Sequence, residues 1–126
     1  MKQIYFDLET TGLDVHTCRI LGIALCIEPF KAFYVSLPKD KKRSTEILQR
    51  LQPIFNDQSI TKIGHNLKFD INVLRSYGIE VNGPIIDTMV MDYILRPDDK
   101  KHGLKALSLL HLNYQQQTFK DIANEK

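Results

Sequence analysis

The stretch from Ile20 to Ile27 constrains the fold most, because Ile-Leu-Gly-Ile-Ala-Leu-Cys-Ile carries no charge and is apolar almost throughout. A short run of that kind reads as a central strand buried on both faces. Its neighbours agree. Ile4, Phe6 and Leu8 alternate with Tyr5, Asp7 and Glu9, the period of a strand with one buried face. Thr10-Thr11-Gly12 breaks that segment, and Glu28-Pro29 turns the chain into a third strand over Ala32 to Leu37. Three strands with short connections predict an antiparallel meander.

The period then changes. Ile47, Leu48, Leu51, Ile54 and Phe55 lie on one helix face, with Ser44 or Thr45 as the expected cap. Ile60 to Ile63 reads as a short strand ended by Gly64. Leu67 to Tyr77 reads as a helix closed by Gly78. Asp87 is expected to cap a helix through Leu95, with Pro97 behind it, and Leu104, Leu107, Leu110 and Leu112 mark a last helix. The order predicts an α/β domain with a mixed sheet.

A chain of 126 residues fits a single domain and buries a core without staples. Its net charge of +2 is too mild to argue for nucleic acid. The basic run Lys39-Asp40-Lys41-Lys42-Arg43 reads as a solvated loop. Cys18 and Cys26 lack metal-ligand spacing and are expected to be reduced, as in a cytoplasmic protein. No signal peptide and no membrane span is expected.

Two carboxylates, Asp7 and Glu9, are two residues apart on a strand, so they share a face. Their repulsion is relieved either by solvent at a strand end or by a divalent cation, whose hard character suits oxygen ligands. Asp70 falls in the first turn of a helix, behind Asn66 at the cap position. Read from spacing alone, it is equally a dipole-stabilised acid. His16, His65, His102 and His111 share no ligand spacing, and surface or helix-end roles are expected of them.

The flanking residues add more. Asp7-Leu8-Glu9-Thr10-Thr11-Gly12-Leu13 resembles the first exonuclease motif of the DEDD superfamily, and Asn66-Leu67-Lys68-Phe69-Asp70 resembles the second. Tyr77-Gly78-Ile79-Glu80, Asp87-Thr88-Met89, His102-Gly103-Leu104 and Thr118-Phe119 extend the likeness across the chain, to the proofreading domain of family A bacterial DNA polymerases. The resemblance implies a ribonuclease H-like fold and 3′→5′ hydrolysis of single-stranded DNA by two Mg²⁺ or Mn²⁺ ions about 3.5–4 Å apart. It implies that Asp7 bridges both ions, that Glu9 holds the one carrying the attacking water, and that Asp70 serves the second. It implies that Thr10 and Asn66 bind the terminal nucleotide beside Phe69, that Leu13 wedges against its base, and that Phe119 stacks on it. A polymerase domain in the same parent chain is the implied partner.

The superfamily's third motif, Tyr or His followed four positions on by Asp, is missing. Tyr93 is followed there by Pro97, His102 by Ala106, His111 by Gln115 and Tyr114 by Thr118. With the polar stretch 113–126, this leads to the expectation of one domain, 1–126, cut before that motif and weak or inactive by itself. A ribonuclease D-like enzyme acting on RNA and a non-catalytic nucleic-acid-binding module are the alternatives.

Overall fold

The computed structural model describes residues 2–118 and 121, so Phe119 lies outside the described residues. The chain divides into two compact units, 1–88 and 89–126. The first holds β1 (Gln3–Thr10), β2 (Ile20–Glu28), β3 (Lys31–Ser36), α1 (Lys41–Gln49), α2 (Gln52–Asn56), β4 (Thr61–Gly64), α3 (Leu67–Ser76) and β5 (Ile85–Asp87). The sheet order is β3-β2-β1-β4-β5. β2 runs antiparallel to β1 and β3, and β4 and β5 add in parallel. The expected ribonuclease H-like arrangement, three antiparallel strands and then parallel additions, is the one observed.

The alternation in β1 sets the two faces of the sheet. Ile4, Phe6 and Leu8 are buried, while Tyr5, Asp7 and Glu9 are exposed. On the buried side Phe6, Leu8 and Ile23 pack with Leu48, Phe55, Leu67, Leu74 and Tyr77. Phe6 meets Phe55 edge to face at 5.1 Å between ring centroids, the geometry that ring quadrupoles favour. β2 is an inner strand, but it is not buried on both faces. Leu21 and Ile27 are exposed, and Gly22, Ala24 and Cys26 pair with Glu9, Asp7 and Tyr5 on the open face. Small residues there, rather than burial, made the run look continuous.

Three further expectations are corrected. The helix expected over 47–55 is two helices, because Pro53 in the first turn of α2 lacks the N–H to continue α1. The cap of α1 is Asp40, whose Oδ1 accepts from Lys42 N at 2.8 Å and Arg43 N at 3.3 Å. Ser44 is buried, and its hydroxyl donates to the Pro38 carbonyl at 2.7 Å. The basic run is therefore the first turn of a helix, with Lys41 Nζ 5.0 Å from the centre of the Tyr77 ring. The short edge strand β5 was not expected from the sequence.

α3 ends as expected. Gly78 adopts φ +74°, its amide donates to Arg75 O at 2.9 Å, and the Ile79 amide donates to Leu74 O at 3.1 Å. Leu74 and Ile79 are both fully buried, which supplies the hydrophobic contact of this termination. Lys62, on β4, is fully buried. Its Nζ donates to the carbonyls of Asp57 at 2.5 Å and Asn82 at 2.6 Å, tying together the loops that enter β4 and β5. Burial pushes this amine below its usual range, and the nearby Asp57 carboxylate acts in the opposite direction.

In the second unit, α4 (Thr88–Leu95) runs on from the boundary and α5 (Leu104–Leu112) follows. His102 is buried, not superficial as expected: its Nδ1 lies 2.6 Å from Asp92 Oδ2 and its ring stacks on Tyr93 at 3.7 Å between centroids. Arg96 grips the same Asp92 with Nε and Nη2, each at 2.9 Å. The Arg96 bonds, and after them the His102 bond, hold Asp92 down at about 2. Among the described residues, no helix is long and apolar enough to cross a membrane.

Replacing Lys62 by Met removes two donors from two carbonyls while keeping the apolar stem. Each orphaned acceptor costs about 1–3 kcal/mol, less where water reaches it. A urea titration of Lys62→Met is expected to show a clearly lower midpoint with an unchanged slope. An unchanged midpoint would mean that these two bonds do not clamp the loops.

Candidate carboxylate site

The carboxyl end of β1 carries Asp7 and Glu9 on the open face, and the register places them opposite Ala24 and Gly22 of β2. The pairing slips between Glu9 and Thr10, where Thr10 meets Ile20 and skips Leu21. This bulge bends the strand where the acids stand. Gly22 makes room there for the Tyr34 ring, which lies across the space that a Cβ would take.

Asp70 reaches the same strand end from α3. The β1–β4 ladder stops at Tyr5 and Ile63. Beyond it the Leu8 amide donates to Asp70 Oδ1 at 3.1 Å, so a carboxylate takes the place of the next strand partner. Gly64 lets α3 start this close, since a Cβ there would stand 2.9 Å from the Phe6 carbonyl oxygen. Asp70 is 4% exposed. Burial raises its pKa to about 7, against the lowering effect of the Leu8 bond and with help from the charges of Asp7 and Asp87. Asp7 is raised too, first by the protein mass around it and then by Glu9, while His65 pulls it the other way. Ion pairs between described residues stand at Lys31–Glu28, Arg75–Glu80 and around Asp92 and Arg96.

Around the acids, Asn66 occupies the cap position of α3 in the left-handed region, φ 62° and ψ 44°, and makes no side-chain cap bond. The α3 amides are met by Asp87, which accepts from Asn66 N at 3.0 Å and Leu67 N at 2.8 Å. Thr88 donates its hydroxyl to Gly64 O at 3.1 Å and lies 2.8 Å from His65 Nδ1. The Thr10 hydroxyl donates to Gly12 O at 2.8 Å, which points its lone pairs outward. Leu13 is 89% exposed beside the acids. Phe69 is half-buried against the core.

The Leu8–Asp70 bond thus brings Asp70 to β1, which carries Asp7 and Glu9 and ends at Thr10; Leu13 follows in the next loop, and Asn66 stands at the start of α3. The capping of α3 by Asp87 was missed. Its signal was Ile85-Ile86-Asp87, an acid closing a short apolar strand in a parallel sheet, where ligand sites gather. The donor chemistry fits a hard divalent ion: carboxylate oxygens, with Asp7 and Asp70 both disfavoured as anions by burial first and by neighbouring carboxylates next. As they stand, no three His, Cys, Asp or Glu side chains among the described residues close into a metal cage.

If Asp70 binds its proton to about 7, the folded chain keeps a proton that the unfolded chain releases near 3.8. Stability from this group is therefore full at acid pH and falls as pH rises from about 4 to about 7. In chelator, Asp70→Asn is expected to exceed the parent in stability by about 1–3 kcal/mol at pH 8, and by much less at pH 5. Urea titrations at the two pH values check this; an equal difference at both would reject it.

Comparison with known proteins places the site in context. A family model described as 3′-5′ exonuclease matches residues 1–125. DNA polymerase I of Pseudomonas aeruginosa is 32% identical over 97% of this chain and 14% of its own length. Brucella melitensis NrnC with bound Mg²⁺ superposes with a TM-score of 0.80 at 24% identity, covering 93% of this chain and 56% of that one. The catalytic core of RRP6 from Trypanosoma brucei superposes at 0.74 and 18% identity, over 97% of this chain and 32% of that one. The chain spans about a seventh of the length of the curated relatives it matches most strongly.

Proposed function

The chain belongs to the 3′-5′ exonuclease family, and from that premise we propose that Asp7, Glu9 and Asp70 form its catalytic centre, which trims the 3′ end of single-stranded DNA beside a polymerase domain. The observation that carries the reading is the Leu8–Asp70 bond, which holds a buried acid against the strand end bearing two more. Asp7, Glu9 and Asp70 would hold Mg²⁺ or Mn²⁺. Such an ion supplies a Lewis acid for the phosphodiester and an activated water.

The chain's own residues account for the rest. Asn66 offers an exposed amide beside the acids, and Thr10 offers hydroxyl lone pairs. Leu13 gives an apolar edge for a terminal base, and an unpaired end suits it because a base pair would have to open first. Phe69, partly exposed in the first turn of α3, would border the nucleotide, and Phe119 would stack on the base. The Mg²⁺ bound to Brucella melitensis NrnC supports the ion type.

Three carboxylates, Asp7, Glu9 and Asp70, are expected to hold an ion loosely by themselves. Calorimetric titration should show Mn²⁺ binding in the millimolar range for the parent and none for Asp7→Ala; identical heats would reject the centre. A 3′-labelled oligonucleotide series tests the substrate. Single-stranded DNA is expected to be shortened faster than duplex DNA or RNA. Preferential loss of RNA would favour the ribonuclease D-like alternative, and binding without cleavage the non-catalytic one.

A further inference from the structure

Asp70 does not place itself. It sits in the first turn of α3, and the direction of that turn is set by whatever holds the first amides of the helix. The residue at the cap position cannot do so, because Asn66 is left-handed there and a side-chain cap needs an extended backbone. Asp87 does it from another strand. β5 pairs with β4 so that Asp87 lies opposite Gly64, two residues before Asn66. Its two carboxylate oxygens divide between the amides of Asn66 and Leu67, at 3.0 and 2.8 Å. Thr88 adds a bond to the Gly64 carbonyl.

We infer that Asp87 is a positioning residue for the catalytic centre: by bridging the Asn66 and Leu67 amides it aims Asp70 at the Leu8 amide and leaves the Asn66 side chain for the nucleotide. This rests on reading Asp70 as an ion ligand. A contact chain follows, Asp87 to the α3 amides, through one turn to Asp70, and on to Leu8 of β1. Two small interactions at the end of an edge strand thereby set a carboxylate on the far side of β4. Asp87 also disfavours the anionic form of Asp70 through its charge. The same charge would draw a divalent ion toward the centre, so losing the charge and losing the bridge both weaken binding, and the Leu8 amide reports the bridge alone.

The experiment uses the full chain and the variants Asp87→Ala, Asp87→Asn and Asp87→Ser. Amide exchange is read by NMR at Asn66, Leu67 and Leu8, normalised to Ile23 and Leu25 as reporters of global opening, and Mn²⁺ affinity is read by calorimetry. In Asp87→Ala, exchange at Asn66 and Leu67 is expected to rise tenfold or more and at Leu8 at least threefold. Mn²⁺ affinity is expected to fall three- to tenfold, with Asp87→Asn in between because it keeps one acceptor oxygen. Normalised Leu8 exchange equal to that of the parent overturns the inference: with weaker Mn²⁺ binding it marks Asp87 as a direct ligand, and with unchanged binding as a cap for the helix alone. Tighter Mn²⁺ binding also overturns it, since a misplaced Asp70 cannot hold an ion better. If Asp87→Ala does not fold, the Asn and Ser variants decide by the same readings. If the parent itself takes up no Mn²⁺, the ion reading fails separately and Leu8 exchange still decides the positioning.

Discussion

One carboxylate oxygen stands where a strand should be. β4 pairs with β1 only as far as Tyr5, and the next inward amide on that side, Leu8, finds Asp70 Oδ1 at 3.1 Å. A buried amide without a partner is costly. So is a carboxylate at 4% exposure without one. Each group answers the other's need, and the bond fastens α3 to the strand that carries Asp7 and Glu9. The rest of the first unit supports this junction. Gly64 allows the approach, the buried face of β1 fixes the strand, and the Leu74–Ile79 contact closes the helix that brings Asp70 in.

β1 therefore serves two purposes through its alternation. Phe6 and Leu8 bind the core, which fixes where the odd-numbered residues stand. The acids are exposed without being flexibly displayed. Their neighbours on β2 are a glycine and an alanine, and the Tyr34 ring lies over the glycine. The bulge after Glu9 turns the chain toward Thr10 and Leu13, so a polar and an apolar contact follow directly on the acids.

Period and punctuation made much of this legible in the sequence. The alternation in β1 announced both the core face and the shared face of Asp7 and Glu9. Gly78 announced the end of α3, because only a residue tolerant of φ +74° fits there. What stayed hidden depends on partners distant in sequence. β5 is three residues long, too short for a period to show, and it exists because β4 offers an edge. The cap of α3 comes from a residue about twenty positions later, so local reading assigned the duty to Asn66. Asp40 was overlooked because it lay inside a basic run, where its charge looked like noise. His102 looked superficial because neither Asp92 nor Tyr93 stands at a spacing that signals burial. Pairing on a distant partner decides β5, the α3 cap and His102, whereas Asp40 caps the very next turn.

The charge distribution at the strand end fits the proposed ion. The molecule shows in Asp92 how it stabilises a buried acid: a two-pronged Arg and a His, with the pKa held at about 2. At the end of β1 the same chain provides nothing comparable among the described residues. Asp7 and Asp70 are both raised, each partly by another carboxylate, and Asp70 reaches about 7. In the proposed centre a divalent ion would displace the proton that burial favours on Asp70. Pairing with Arg, as at Asp92, would have made the unit more stable without an ion and would have blocked the ligands. The acids at this strand end are a local cost of the kind that functional sites carry, and the bridge from Asp87 holds that costly arrangement in register.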